Sequence, residues 1–539
     1  MSEELVKDIV SMNISHDASV CYLHEGKVQW MIEEERLTHK KYDAMPFLSI
    51  AALKDRVPNT STALFSLLRI PGKESFQQYD IDYCLSVYRK SIRCSLQDFK
   101  WKGMIEYHHL SHASVGFYNS GFDEAVVVVV DGAGAVVNEE GHEVESIYRA
   151  SYPDNFELLH QKLCPLFNSE NISSDHTYGI GMTYAAVSDY LGFDFHGSGK
   201  TMGLAPYGKD SPKIKSFLKE DGSVDNSRFE RVQNGVAIMG DANYDDESDL
   251  AYRVQKDFET YMINLLNKAI ELSGSKNIVL SGGCALNCVA NYKYLEHLPE
   301  GTNLFVEPIC YDAGIALGQA MLVWRNITRS MEKFPLENLY LGPPQKHDIP
   351  EDTYEVSTSD VVDIIIQGNP VAIFQGRSEQ GPRALGNRSL LFDPRVPNAQ
   401  EILNKKKGRE LWRPFAASVL LDHVHDWFDM RGLKESPYMM FAVNAHEEVW
   451  NEIPGVLHVD KTCRIQTVSR EQNPNYYDLI REFYDRTGVP MLLNTSFNLA
   501  GDTICETVKD AVDTIKRSEL EYVYFAECGR MLNDPNRRS

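Results

Sequence analysis

His108 and His112 stand four positions apart in the run Tyr-His-His-Leu-Ser-His-Ala, residues 107–113. On a helix that spacing puts both imidazoles on one face, one turn apart. Two imidazoles so placed can grip one metal ion. The zinc-protease pattern H-E-x-x-H shares this spacing, but its Glu, the general base, is replaced here by His109. Protease chemistry therefore lacks its base. Asp131 closes a run of five valines and opens Asp131-Gly132-Ala133-Gly134, which places a carboxylate at a strand end. Asp312, in Cys310-Tyr311-Asp312-Ala313-Gly314, offers another at a strand-to-helix turn, where an N-cap is the competing role. Both would project from one edge of an α/β sheet, where ligands bind. Two imidazoles with one or two carboxylates suit iron(II), manganese or zinc, with positions left open for substrate.

A second group of residues suits anions. The turns DGAGA, SGGCALN and DAGIALG offer backbone N–H groups at helix starts, where phosphates bind. Gly132, Gly282, Gly283 and Asn287 are the nucleotide-contact candidates there. Lys200 lies among glycines in HGSGKTMGLAPYG, residues 196–208, although the first glycine is misplaced for a Walker A loop. The densest cations fall in GRSEQGPRALGNRSLLFDPR, residues 376–395, and in NKKKGRELWRPFA just beyond. Arg377, Arg383, Arg388, Lys407, Arg409 and Arg413 are interleaved with glycines and apolar residues, so they do not form a salt-bridged helix face. Such a group suits phosphates, with bidentate Arg giving orientation. Lys407-Gly408-Arg409 and Ser496-Phe497-Asn498 could converge on a phosphoryl or adenylate group.

These residues need a scaffold, and the chain is long enough for two or three domains at 539 residues. Its hydrophobic and charged fractions, 43% and 24%, are those of a globular protein. No apolar stretch reaches the roughly 20 residues needed to span a bilayer. The start, MSEELVKDIV, lacks the features of a signal peptide. The ten cysteines never form CxxC, and Cys284 and Cys288 in a glycine turn suit reduced thiols, so a cytoplasmic setting is expected. A net charge of −23 disfavours general nucleic-acid binding. One local basic strip, Arg89, Lys90, Arg93, Lys100 and Lys102, leaves room for a local groove.

Residues 8–35 read as a β-meander with a polar stop at Ser15-His16-Asp17. EAVVVVVD, residues 124–131, reads as a strand covered on both faces, followed by a small-residue turn and returning strand text. The pattern of strand, polar turn and returning strand thus occurs twice. Residues 250–273 have a helical period, and NIVLSGGCALNCVANYKYL reads as strand, turn, helix. Glycine loops alternating with strands in this way resemble the actin/Hsp70/hexokinase type of nucleotide fold. A boundary is expected near 335–350, rich in Pro and charge, with a second α/β unit beyond it.

Taken together, the chain resembles the O-carbamoyltransferases of the NodU/CmcH type. The resemblance rests on SMNISHDASVCYL, EEERLTHKKYD, HHLSHA, VVDGAG, GKTMGLAPYG, SGGCALNCVAN, YDAGIALGQA, EQGPRALGNRSLLFDPR, KGRELWRPFA, HVDKTCRIQTV and GVPMLLNTSFNLAGDTI, in this order. It implies an α/β protein of two domains. Residues 1–340 would be a TsaD-like carbamoyl-transfer domain on the actin/Hsp70-like (ASKHA) fold, with the metal and a nucleotide site. Residues 341–539 would be a YrdC-like domain that makes carbamoyl adenylate from ATP (with Mg) and carbamoyl phosphate. The resemblance implies that His108, His112, Asp131 and Asp312 hold the metal, commonly iron. Lys407-x-Arg409 and Ser496-x-Asn498 match the K-x-R and S-x-N signatures of the adenylate-forming site, with Arg383 beside them. His16, in ISHDAS, matches the histidine near the acceptor hydroxyl, where it would take the acceptor's proton. The acceptor would be a small molecule such as a sugar or natural product. No membrane is implied, and a homodimer is compatible with the reading. Two positions depart from the family pattern: Lys461 stands where Gly is usual, and His196 and Ser198 occupy a loop that usually has an acidic residue or other small residues. The alternatives are carbamoylation of a hydroxymethylated pyrimidine in DNA, threonylcarbamoyl transfer to tRNA, and a nucleotide switch without transfer chemistry.

Overall fold

The first strand shows how one segment serves two purposes. In β1 (Asp8–Ile14), Val10, Met12 and Ile14 point to one side and join a core with Val20, Trp30, Ile32 and Leu53. Ser11 and Asn13 point to the other, because successive strand residues face opposite ways. Their side chains donate to the Gln319 Oε1 (3.1 Å) and the Asp312 carbonyl (3.0 Å). The strand thereby carries a core face and a face that fixes a distant helix start.

This computed structural model describes residues 7–53, 56–57, 62–67, 108–137, 140–165, 178–233, 236–239 and 246–533. Tyr107 and the basic strip from Arg89 to Lys102 lie outside the described residues. The chain divides into two compact units, one of residues 1–38 and 42–336, the other of residues 39–41 and 337–539. Among the described residues, no helix is long and apolar enough to cross a membrane. The described cysteines, Cys284 and Cys288 among them, are free.

In the first unit, β1, β2 (Ser19–His24), β3 (Lys27–Glu33) and β4 (Thr62–Leu67) form a sheet of order β3-β2-β1-β4. The meander is antiparallel and β4 runs parallel to β1. The second sheet is built from β5 (Glu124–Val130), the short β6 (Val136–Val137), β7 (Gly141–Ser151) and β8 (Asn155–Pro165), with β11 (Asn277–Ser281) and β12 (Asn303–Val306). A separate hairpin, β9 (Phe229–Gln233) with β10 (Val236–Met239), lies between them in sequence. Here too the first strand, β5, pairs antiparallel with β7, and β7 with β8, while β11 joins β5 in parallel. β12 extends that parallel edge. The order third–second–first–fourth occurs in both sheets. This duplication is the plan of the actin/Hsp70-like fold, and it confirms the repeat read in the sequence. The valines of β5 are buried on both faces, as a central strand requires.

The second unit is α/β with one mixed sheet of ten strands. Its middle contains Val371–Phe374, Arg388–Phe392, Met491–Ser496, Ala416–Leu420 and Thr462–Val468, side by side in that order. Helix Thr358–Ile366 opens with a capping box from Ser357 and Asp360, and helix Val508–Lys516 with one from Thr507 and Asp510.

Candidate functional site

Helix His108–Ser120 carries His108 and His112 on one face, both buried. It packs on helix Ala313–Thr328, the helix that Asp312 precedes. The approach is close because Gly318 has no side chain: a Cβ there would lie 2.0 Å from the Ser111 carbonyl oxygen. The start of the second helix is pinned by Asn13, and by the Ser19 hydroxyl, which donates to the Ala313 carbonyl (2.8 Å). Asp131 follows β5, and its N–H donates to the Val144 carbonyl of β7 (3.0 Å). From β7, Glu143 accepts the His109 N–H at the helix start (3.0 Å), and Ser146 pairs with the His109 ring (2.8 Å). His109 is therefore tied to β7, with its ring 5.9 Å from that of His108.

The four side chains converge. One donor atom from each of His108, His112, Asp131 and Asp312 lies within 4.8 Å of the others. His108 Nε2 is 3.2 Å from Asp131 Oδ2 and 3.5 Å from Asp312 Oδ1; His112 Nε2 is 3.6 Å from each of these oxygens. The two Nε2 atoms are 3.2 Å apart. Donors about 2.1 Å from a common ion stand about 3.0 Å apart at octahedral angles and about 3.4 Å apart at tetrahedral ones. The set therefore fits a first-row divalent cation. Asp312 Oδ2 and His112 Nδ1 are buried without a hydrogen-bond partner. Asp312 is held at about 2: burial opposes its ionisation, but His108, His16 and His112 outweigh it. His112 is raised to about 9, burial again being outweighed, here by Asp131 and Asp312. A cation among these carboxylates would satisfy the charge that the imidazoles now answer. Asp312 makes no side-chain cap of its helix, so the N-cap role is not the one it takes.

His16 reaches the same cluster from the turn between β1 and β2. Its Nδ1 lies 3.6 Å from Asp312 Oδ2 and its Nε2 3.1 Å from Asp17 Oδ2. Burial lowers its basicity, but Asp312 and Asp17 together raise it to about 10. The pull of Asp312 lasts only while that carboxylate is uncompensated. With a cation on Asp312, Asp17 remains as the partner that orients the ring.

The glycine turns divide into several roles. Gly283 adjoins the cluster, since a Cβ there would lie 3.0 Å from Asp131 Oδ1. Gly282 has φ +86° and leaves room for the Val130 carbonyl. The Gly132 N–H donates to Asp131 Oδ1 (2.7 Å). Asn287, expected at a nucleotide, is occupied within the fold: its Oδ1 accepts from the Ala290 N–H (3.0 Å) as a helix cap, and its amide donates to Gln255 (2.9 Å). Lys200 lies on helix Ser198–Leu204 with its ammonium 5.6 Å from the Phe193 ring.

In the second unit the two signatures meet. Lys407 ends helix Ala399–Lys407, which Gly408 terminates at φ +68°, sending Arg409 off in a new direction. Lys407 Nζ donates to the Ser496 carbonyl, the Asn498 carbonyl (2.8 Å) and Asn498 Oδ1 (3.0 Å). The Ser496 hydroxyl also donates to Asn498 Oδ1 (2.6 Å). Burial, then Arg409 and Arg413, hold Lys407 well below the usual lysine range. Arg409 stacks on Phe415 at 4.4 Å and is lowered to about 9 by burial, Arg413 and Arg464. Arg413 has Glu410 at 3.5 Å. Cations clustered in this way can neutralise a phosphate, with the Arg forks giving orientation.

Arg464 belongs to this group and was not singled out in the sequence. It is opposite Ala416, which on its other side is opposite Asn494. Arg464 and Asn494 therefore share one face of the sheet. The loop bearing Arg383 is tied to that face, with its Ala384 carbonyl accepting from Asn494 (3.1 Å) and its Leu385 carbonyl from Gln466 (2.8 Å). The buried Glu379 shapes the same loop, its Oε1 accepting the N–H groups of Leu385 (2.6 Å) and Arg388 (3.2 Å).

Two arginines are placed differently from the sequence expectation. Arg388 is fully buried, stacked on Phe374 at 3.7 Å, and donates to the carbonyls of Gln375, Asn387, Gly376 and Glu506. Arg377 donates to the Gly342 and Leu341 carbonyls (2.5 and 2.9 Å) and so fastens the segment that enters the unit. Both have their planar forks committed to backbone. Lys461 takes φ +66°, the left-handed conformation that glycine adopts most easily.

The chain thus combines a duplicated actin/Hsp70-like unit that bears a histidine–carboxylate cluster with an α/β unit that bears a lysine–arginine cluster. Comparison with known proteins makes this specific. The description "Carbamoyltransferase N-terminus" matches residues 83–321, and "Carbamoyltransferase C-terminus" matches residues 362–529. Nodulation protein NolNO of Sinorhizobium fredii is 33% identical, over 94% of this chain and 77% of that protein. An uncharacterized protein of Synechocystis is 31% identical over 94% of each chain. Among solved structures, full-length HypF in a phosphate- and nucleotide-bound form is 14% identical, with a TM-score of 0.34, over 60% of this chain and 57% of that one. The chain belongs to the carbamoyltransferase family, and its enzymatic class is carbamoyl transfer.

Proposed function

We propose that this protein is an ATP-dependent O-carbamoyltransferase whose acceptor is a hydroxyl of a small molecule. In the second unit, carbamoyl phosphate is hydrolysed to carbamate and phosphate. A carbamate oxygen then attacks the α-phosphorus of ATP, and pyrophosphate leaves as carbamoyl adenylate forms. Lys407, Arg409, Arg413, Arg464 and the Arg383 loop gather and neutralise the phosphates, which otherwise repel one another. In the first unit, the acceptor oxygen attacks the carbamoyl carbon and the bond to AMP breaks. His16, oriented by Asp17, takes the hydroxyl proton. His108, His112, Asp131 and Asp312 would hold a divalent metal, iron(II) among the choices, which would supply positive charge to the departing phosphate.

The observation that carries this reading is the meeting of Lys407, Ser496 and Asn498 beside Arg409 and Arg413, in a chain of the carbamoyltransferase family. The test is pyrophosphate release from ATP by the full-length protein, with and without carbamoyl phosphate. Release that requires carbamoyl phosphate is the expected result. ATP turnover indifferent to it would favour a nucleotide switch and overturn the proposal.

A further inference from the structure

Beside His16 lies a pair of exposed rings that the steps above do not use. Tyr42 and His196 stack with centroids 4.2 Å apart and planes 21° from parallel. His196 in turn lies 5.1 Å from the His16 ring. The loop of Tyr42 is tied to the turn that carries His16, because the Ala18 N–H donates to the Asp43 carbonyl (3.1 Å). The loop of His196 is closed by its own N–H, which donates to Asp194 Oδ1 (2.8 Å). Both loops contain a residue in the left-handed region, Tyr42 at φ +57° and Asp194 at φ +63°. A bulky residue is held there only against a conformational preference, and such positions gather at functional sites. His196 covers one side of Tyr42, yet Tyr42 remains 41% exposed. Its remaining surface therefore faces solvent, with His196 standing between it and the proposed base.

We propose that Tyr42 and His196 form a platform for the acceptor, and that the acceptor hydroxyl is carried on a ring whose face lies on these side chains. This rests on the carbamoyl-transfer reading above and names the kind of alcohol that it uses. Aromatic side chains attract the C–H face of a sugar and the flat face of a heterocycle alike. A ring docked on the pair would have its orientation fixed before reaction, on a platform whose His196 ring lies 5.1 Å from that of His16. An acyclic alcohol gains nothing from the platform. Neither residue exchanges a proton or touches the cluster; both act by positioning.

The experiment uses the full-length protein with ATP, carbamoyl phosphate and three probe alcohols: methyl β-D-glucopyranoside, 5-hydroxymethylcytidine and glycerol. The variants are Tyr42→Ala, His196→Ala and Tyr42→Phe. Each alanine variant should raise the KM for a ring alcohol about three- to tenfold, the loss of one stacking contact. The kcat, the pyrophosphate release and the turnover of glycerol should stay within twofold. Tyr42→Phe keeps the ring face and should match the parent. A shift confined to the glucoside identifies a sugar-like acceptor, and one confined to the nucleoside a planar one; either supports the platform. Unchanged KM values, or an equal shift with glycerol, overturn it. Pyrophosphate release without carbamoylation of either ring alcohol at high concentration overturns it as well. Failure of the parent protein to release pyrophosphate refutes instead the transfer reading beneath it.

Discussion

Replacing Lys407 by methionine tests the adenylate-forming site with little change in side-chain volume. Lys407 is 2% exposed and donates three hydrogen bonds, to the carbonyls of Ser496 and Asn498 and to Asn498 Oδ1. At about 0.5–1.5 kcal/mol each, their loss costs about 1.5–4.5 kcal/mol. Two effects oppose that loss. Burial disfavours the ammonium, and Arg409 and Arg413 repel it, which is why its basicity is depressed. Methionine is free of both penalties, so the net destabilisation should be about 1–3 kcal/mol. For a unit of about 200 residues that lowers the melting midpoint by about 2–4 °C per kcal/mol. The variant should thus be folded at 25 °C, as circular dichroism can check. Its catalysis should fall much further, because Lys407 holds Ser496 and Asn498 together and adds its charge to that of Arg409 and Arg413 at the proposed phosphate site. A loss of about 10²–10³-fold in carbamoyl-phosphate-dependent pyrophosphate release is expected. Release within tenfold of the parent would refute the reasoning and place adenylate formation elsewhere.

Three further outcomes follow from the first unit. His16→Asn should retain pyrophosphate release and lose carbamoyl transfer by about 10²-fold or more; full transfer would remove His16 as the base. His112→Asn should lower the metal content found by elemental analysis of the purified protein, and unchanged stoichiometry would contradict its role as a ligand. Gly134→Ala would bring a Cβ within 2.9 Å of His108 Cδ2 and 3.1 Å of His109 Cδ2, so the imidazoles must shift. About tenfold weaker metal binding is expected from that displacement, read by competition with a chromogenic chelator, and unaltered affinity would show that His108 can move without cost.

Much of this was open to reading along the chain because local rules govern it. The valines of β5 could only suit a doubly covered strand, and the polar turns after β1 and β5 announced the repeat. The four-residue interval of His108 and His112 fixed a shared helix face before any fold was known. The K-x-R and S-x-N signatures likewise gave their residues by type and order.

Direction and long-range meeting were a different matter. Arg383 and Arg388 look alike in GPRALGNRS, yet one lies on the loop tied to Asn494 and Gln466 while the other is turned inward onto Phe374 and four carbonyls. Asn287 reads as a ligand contact until its helix uses it as a cap. Arg464 is a single arginine in a strand and gave no signal; only its register with Ala416 and Asn494 places it among the cations. His196 likewise showed only as a departure from a pattern, and Tyr42 only as part of the EEERLTHKKYD motif, with no role read for it until the two loops met. The sequence by itself determined residue chemistry, periodicity and element order, because those depend on neighbours a few positions apart. The tertiary structure alone decided that Asp131, Asp312 and His16 reach the His108–His112 face. That meeting depends on a helix crossing at Gly318 and on polar contacts from Asn13 and Ser19, between segments some 300 positions apart.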